Sequence, residues 1–290
     1  MPYLMGIIWN FAFSKTRKGK YLVSFNKGFL VLLMVLTGYL SLVWGQKADT
    51  FRIVHRFEAD VQGLTSDKLK QIYVITPNQV LRKCNADGKV LFEFSNRYLG
   101  TLGKVDASDP FDVLLFYPDY QTLLFLDRTM NVIADVRLKN EEFPFPSLVA
   151  MGRDRQIWIY DAALNTLNRM DRQGGIKTSS QDLSLLMGRR FIPNQLVANE
   201  RAVYLVDPDQ GVLCFDVFGQ FQTFLPLPGL EQLQTFDQYL FYRWQGQYYV
   251  AEQIGTPALL EGLPPNLPFF GGIPNWMVAW NGTEVLVYKK

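Results

Sequence analysis

From residue 71 onward the chain alternates short apolar runs with polar breaks, and the breaks keep a regular spacing. The runs "QIYVI" (71–75), "DVLLFY" (112–117), "QIWIY" (156–160) and "AVYLV" (202–206) each lead into a second apolar run. That run ends in a small turn: "KCNADGKV", "FLDRTMNVI", "RMDRQGGI" and "CFDVFGQF" in order. The first polar residues of these turns, Asn85, Asp127, Asp171 and Asp216, stand 42, 44 and 45 residues apart. Three residues on come Gly88, Met130, Gly174 and Gly219, then Val90, Val132, Ile176 and Phe221 after two more. Asn and Asp cap their own backbone and Gly accepts a positive φ, so each motif predicts a tight hairpin.

A shorter strand precedes some of these pairs, as in "SLVAM" (147–151) and "NQLVA" (194–198). The unit is a meander of four short strands, repeated at the length of a propeller blade. Two further copies carry another marker, Trp244-Gln-Gly246 and Trp280-Asn-Gly282, 36 residues apart. The last copy runs out at Lys290 one strand short, while "FRIVHRF" (51–57) has no partner of its own. The two deficits cancel if the N-terminal strand completes the last blade, with Ile53 expected against Val285 and Val287, leaving no open sheet edge. The prediction is an all-β, six-bladed β-propeller with four-stranded blades, closed by its N-terminal strand. A sandwich with evenly placed turns is the alternative, and the near-constant spacing disfavours it.

The "FDVFG" turn (215–219) and its relatives resemble the "FDxxG" hairpins that end the blades of six-bladed propellers of the NHL, YVTN and TolB-like group. That resemblance covers residues 51–290 and implies a fold with many functions, scaffolding and binding among them. It brings no catalytic signature.

The first 45 residues follow another rule. Lys15, Arg17, Lys18, Lys20 and Lys27 precede the uncharged run "GFLVLLMVLTGYLSLVWGQ" (28–46), with no acid before it. Basic residues, then an apolar run, then Val43-Trp44-Gly45 before Gln46 describe a secretory signal over 1–45, with a retained membrane anchor as the alternative. The "VWGQ" end resembles exported proteins of the Bacteroidetes group. The expected location is the periplasm or cell envelope, with 46–290 as the propeller domain. Membrane contact is then expected only through the N-terminal segment, if it is not removed.

Without the leader the chain keeps 24 Lys and Arg against 27 Asp and Glu, so its formal charge falls from +2 to −3. No basic stripe remains to drive counterion release, which excludes nucleic acid as the partner. Cys84 and Cys214 occupy near-equivalent places in the first and fourth repeats, too far apart across a ring for a disulfide. Two buried free thiols are expected.

Sites of chemistry are sparse. His55, the single histidine, sits on the closing strand, and no phosphate loop or GxSxG elbow occurs. Some six-bladed propellers are lactonases that hold Ca²⁺ at the channel mouth, and Asp106, Asp109 and Asn194 are the candidate analogues here. The neutral set Ser147, Gln232 and Asn275 completes it poorly, and Asp109-Pro110 reads as a turn. No metal and no cofactor is expected.

The connections between blades are more informative. "LKNEEFPFPS" (138–147), "KTSSQDLSLLMGRRFIPN" (177–194) and "EGLPPNLPFFGGIP" (261–274) are long, and blade topology puts all three on one face. The middle one predicts a short helix with Leu183, Leu186 and Met187 on one side. Phe145, Arg189, Arg190, Phe269 and Phe270 are the expected binding residues, aromatic and arginine anchors for an acidic protein surface. The resulting expectation is an exported, non-enzymatic scaffold of the bacterial envelope that binds a protein through its loop-rich face. A small-ligand or glycan binder at the channel mouth, and a lactonase-like Ca²⁺-dependent hydrolase, are the alternatives.

Overall fold

The computed structural model describes residues 50–138, 143–252 and 255–290. The leader expected over 1–45 lies outside them. Six four-stranded antiparallel sheets follow one another as the blades of a propeller. The first strand, β1 (Arg52–Glu58), is set apart for the last blade. Blade 1 holds β2 (Gly63–Ser66), β3 (Ile72–Ile75), β4 (Val80–Cys84) and β5 (Val90–Ser95). Blade 2 holds β6 (Lys104–Asp106), β7 (Val113–Tyr117), β8 (Thr122–Leu126) and β9 (Val132–Arg137). Blade 3 holds β10 (Pro146–Met151), β11 (Ile157–Asp161), β12 (Thr166–Met170) and β13 (Ile176–Ser179). Blade 4 holds β14 (Gln195–Ala198), β15 (Ala202–Asp207), β16 (Gly211–Asp216) and β17 (Phe221–Leu225). Blade 5 holds β18 (Leu230–Phe236), β19 (Tyr239–Trp244), β20 (Gln247–Glu252) and the two-residue β21 (Ala258–Leu259). Blade 6 holds β22 (Phe269–Ile273), β23 (Trp276–Trp280), β24 (Glu284–Lys289) and then β1.

The second strands, β3, β7 and β11, are buried at every position, which is why they read as unbroken apolar runs rather than alternating ones. Their side chains serve both blade surfaces. The core is accordingly divided: six apolar clusters occur among the described residues, one in each gap between neighbouring blades. Burial of large aliphatic and aromatic groups, at ~1.5–3 kcal/mol each, therefore ties blade to blade and not strand to strand within a blade.

Closure works as expected in outline and differs in detail. Strand β1 pairs antiparallel with β24, setting His55 opposite Val287 and Phe57 opposite Val285. An irregularity between Ile53 and His55 shifts Ile53 opposite Tyr288, and it stays 43% exposed. Phe57, not Ile53, packs into the cluster with Val285 and Val287, joining blades 6 and 1. It also lies where a Cβ on Gly88 would sit.

The third hairpins show what the Asp/Asn motif does. Asp127 Oδ1 accepts from the amides of Thr129 (2.8 Å) and Asn131 (2.9 Å), and Asn85, Asp171 and Asp216 repeat the pattern. Gly88, Gly174 and Gly219 take φ values of 86 to 89°, and Met130 takes 67° without being a glycine. Its side chain is buried in the gap between blades 1 and 2, which offsets a left-handed cost of ~1–2 kcal/mol. Cys84 and Cys214 are free and buried, and burial pushes the Cys214 thiol up to about 12.

Candidate docking face

Blade topology gives the ring two unlike faces. The first and third hairpins of each blade make one, the turn face. The second hairpins and the connections between blades make the other, the connection face.

On the connection face the second strands of blades 3 and 4 end in buried carboxylates. Asp161 accepts from the amides of Ala163 and Leu164 in its own hairpin and from Phe145 in the incoming connection, at 2.8–2.9 Å. Asp207 does the same for Asp209 and Ile192, and also takes Gln210 Nε2. Each carboxylate thus fixes where a connection enters its blade. Tyr160, whose hydroxyl donates to Asn165, is pushed up to about 12, chiefly by burial.

The connection from blade 3 to blade 4 carries the helix α1 (Leu183–Met187). Its Asp182 N-cap accepts from Ser184 N, and Asn165 Nδ2 donates both to Asp182 Oδ1 and to Ser184 Oγ. The Leu183 amide donates to Asn165 O, and Gln210 Nε2 donates to Arg190 O. Leu183 and Phe191 are buried, while Leu185 between them is 74% exposed. Arg189 and Arg190 are exposed, the first with its guanidinium 6.0 Å above the Phe224 ring. Phe145 is 56% exposed on the neighbouring connection. Tyr98, Tyr120, Leu164 and Ile192, none of them marked by sequence reasoning, add exposed apolar surface on the same face. Leu185 could have been found, since it falls off the 183, 186, 187 stripe. The others carry no local signal.

Phe269 and Phe270 part company. Phe270 is fully buried in the gap between blades 5 and 6, edge-on to Tyr248 at 5.0 Å, so its side chain offers no contact surface. Phe269 is half-buried beside the channel, 5.9 Å from Trp280. The connection before them is anchored at its apolar residues. Leu260 and Leu267 are buried in the gap between blades 5 and 6 and Glu261 O accepts from Phe51 N, while Gly262, Pro264, Pro265, Asn266 and Pro268 stay exposed. Among the described residues, the other two long connections set large apolar side chains in water (Phe145, Leu185 and Ile192), whereas this one buries Leu267.

The channel encloses about 390 Å³. Part of its polar wall joins blades. Gln195 bonds to Glu231 O and Leu233 N, Gln232 and Gln234 both donate to Phe270 O, and Thr235 donates to Ala198 O. Of the calcium analogues, Asp106 accepts from Ser108 N and Met151 N, and Asp109 from Phe111 N, as turn and blade fasteners. Asn194 donates its amide to Val206 O.

The turn face is charged instead. His55–Asp87, Arg155–Asp109, Arg155–Asp112, Arg172–Asp112 and Lys177–Asp171 are all paired there. Asp112 is buried and accepts from Arg172 at 2.7 Å; burial raises its carboxyl, with Arg172 and Arg155 opposing.

Neither a family model nor a curated protein matches the chain. Solved structures do, at the level of fold. A streptogramin B lyase is 11% identical with a TM-score of 0.56, over 83% of this chain and 87% of its own. Virginiamycin B lyase from Staphylococcus aureus is 13% identical with a TM-score of 0.53, over 80% and 82%. BBS1N in complex with ARL6DN is 14% identical with a TM-score of 0.51, over 76% and 74%. The expectation of a non-enzymatic protein is corrected here, because lyases share this fold and the architecture is as much a catalytic frame as a binding one. The chain, a β-propeller of six four-stranded blades, is similar to these proteins in fold alone.

Proposed function

We propose that the propeller is a docking platform for a protein partner, seated on the connection face over blades 2 to 4. The observation that carries this is the pinned display of apolar side chains. Leu185 and Phe145 are held in water by segments whose backbones are fastened to Asp161, Asp207, Asn165 and Gln210. A connection left to relax would bury such groups; one fastened in place has its ordering cost met before a partner arrives. The fold is compatible with that use, since BBS1N was solved in complex with another protein. The basic and apolar pattern of residues 1–45 supports work outside the cytoplasm, in the cell envelope, with the mature chain starting near Gln46. A mass for the isolated protein that includes Met1 would overturn removal of that segment and favour a retained anchor.

The test of the platform is partner capture from the source cells with two sets of variants. Phe145→Ser with Tyr120→Ser should abolish capture and leave the melting temperature unchanged. Leu69→Ser with Phe218→Ser, on the turn face, should leave capture intact. Equal loss from both sets, or from neither, removes the platform.

A further inference from the structure

We infer that the segment 182–192 is the specificity anchor of this face, and that it takes a protein segment in which one large apolar side chain is flanked by carboxylates. This rests on the docking reading above. The geometry supplies a preformed epitope: buried Leu183 and Phe191 at its ends, Gly188 at φ +65° closing the helix, and Leu185 and Ile192 standing out between and beside them. Leu164 adjoins, since the next residue, Asn165, bonds to the N-cap Asp182 and to Ser184.

The flanking charge names the occupant. Neither Arg189 nor Arg190 pairs with a carboxylate among the described residues. Two carboxylates of this region are turned to internal work: Asp182 accepts from Ser184 N and Asn165, and buried Asp207 from Ile192 N, Asp209 N and Gln210. On the turn face, by contrast, Arg155 and Arg172 are already matched to acids. Two unmatched guanidinium forks beside an exposed leucine are complementary to carboxylates around an apolar anchor.

The experiment uses three labelled twelve-residue peptides with a single central leucine, flanked by glutamate, glutamine or lysine, titrated by fluorescence anisotropy at low salt. On the intact chain the glutamate peptide should bind about tenfold more tightly than the lysine peptide. Arg189→Glu with Arg190→Glu should reverse that order, and Leu185→Ala should weaken all three. Equal binding of the three peptides, an order that survives the charge reversal, or no binding at all overturns the inference. Glutamate-peptide binding that depends on Phe145 and Tyr120 but ignores Leu185, Arg189 and Arg190 overturns it while leaving the docking face standing. A melting temperature unchanged in each variant shows that folding is not what is being read.

Discussion

The two faces of the ring are made from the same four strands per blade, yet they solve different problems. On the turn face the chain reverses within a few residues, and side chains answer to their own backbone. Asp127, Asp171 and Asp216 each cap amides two and four residues on. Charges there meet partners in the same or the next blade, as Lys83 Nζ does with Arg128 O and Arg169 Nη1 with Val217 O, both at 2.9 Å. In blade 2 the device is inverted: Phe125 stands where Lys83 and Arg169 stand, and Arg172 of blade 3 lies 4.3 Å above its ring. On the connection face the chain travels farther, and carboxylates fasten incoming backbone from a distance while apolar groups stay in water. Ion pairs and capped turns mark the face that holds the ring together. Exposed apolar side chains beside Arg189 and Arg190 mark the face proposed for a partner.

Both faces depend on closure, so the largest effect comes from its loss. Deleting Arg52–Glu58 unpairs β24 and removes Phe57 from the gap between blades 6 and 1. The cooperative thermal transition should disappear. A deletion variant that melts like the parent would show that closure carries no weight.

The next effect separates the faces. Arg172→Ala leaves the buried Asp112 carboxylate with Arg155 at 3.6 Å as its remaining cation. Urea denaturation should report a loss of ~3 kcal/mol, as for a broken buried pair, with partner capture on the other face intact. Stability within 0.5 kcal/mol of the parent would place this pair among those that contribute nothing (roughly the surface-pair range).

A pH series sharpens the turn side of the contrast. The amide of Asn131, then the Thr129 hydroxyl, hold the Asp127 carboxyl down to about 2, and a hydrogen bond from Lys177 lowers Asp171. A folded-state pKa below the unfolded one contributes stability that is present above the unfolded value and lost as pH falls through the folded one. Stability should therefore drop between about pH 4 and pH 2. Asp127→Asn keeps the acceptor oxygen, as Asn85 does in blade 1, and should flatten that decline. An unchanged acid slope in the variant would mean that this cap does not titrate with folding.

The smallest effect is the most telling for the connection face. Leu185→Ala and Phe145→Ala should each shift stability by less than ~0.5 kcal/mol, since neither side chain is packed. A loss of core size, ~2–5 kcal/mol, would make them structural.

Much of the architecture was legible because each blade repeats its local chemistry. The turn residues, the second-strand runs, the N-terminal closing strand and the helix at Leu183–Met187 all announce themselves in a few consecutive positions. The proposed site was legible only in part. Arg189, Arg190 and Phe145 are on the surface where the long connections put them, but Phe270 is not. Phe269 and Phe270 are successive residues of β22, and side chains alternate across a strand. One reaches the channel wall and the other the core between blades 5 and 6. Proline and glycine in "EGLPPNLPFFGGIP" signal a loop, and nothing within it signals that Glu261 bonds to Phe51 or that Leu267 and Phe270 are buried.

By itself the sequence determined the blade, its hairpins and their number, because those rest on hydrogen bonds between residues two to four apart and on apolar runs one strand long. Which side chains a partner can touch was decided only by tertiary structure. The bonds that hold the connection face join residues 15 to 20 positions apart, Ile192 to Asp207, Phe145 to Asp161, Ser184 to Asn165 and Arg190 to Gln210. No short stretch of chain contains both ends of such a bond, so the display of Leu185 beside two arginines exists only once blades 3 and 4 are side by side.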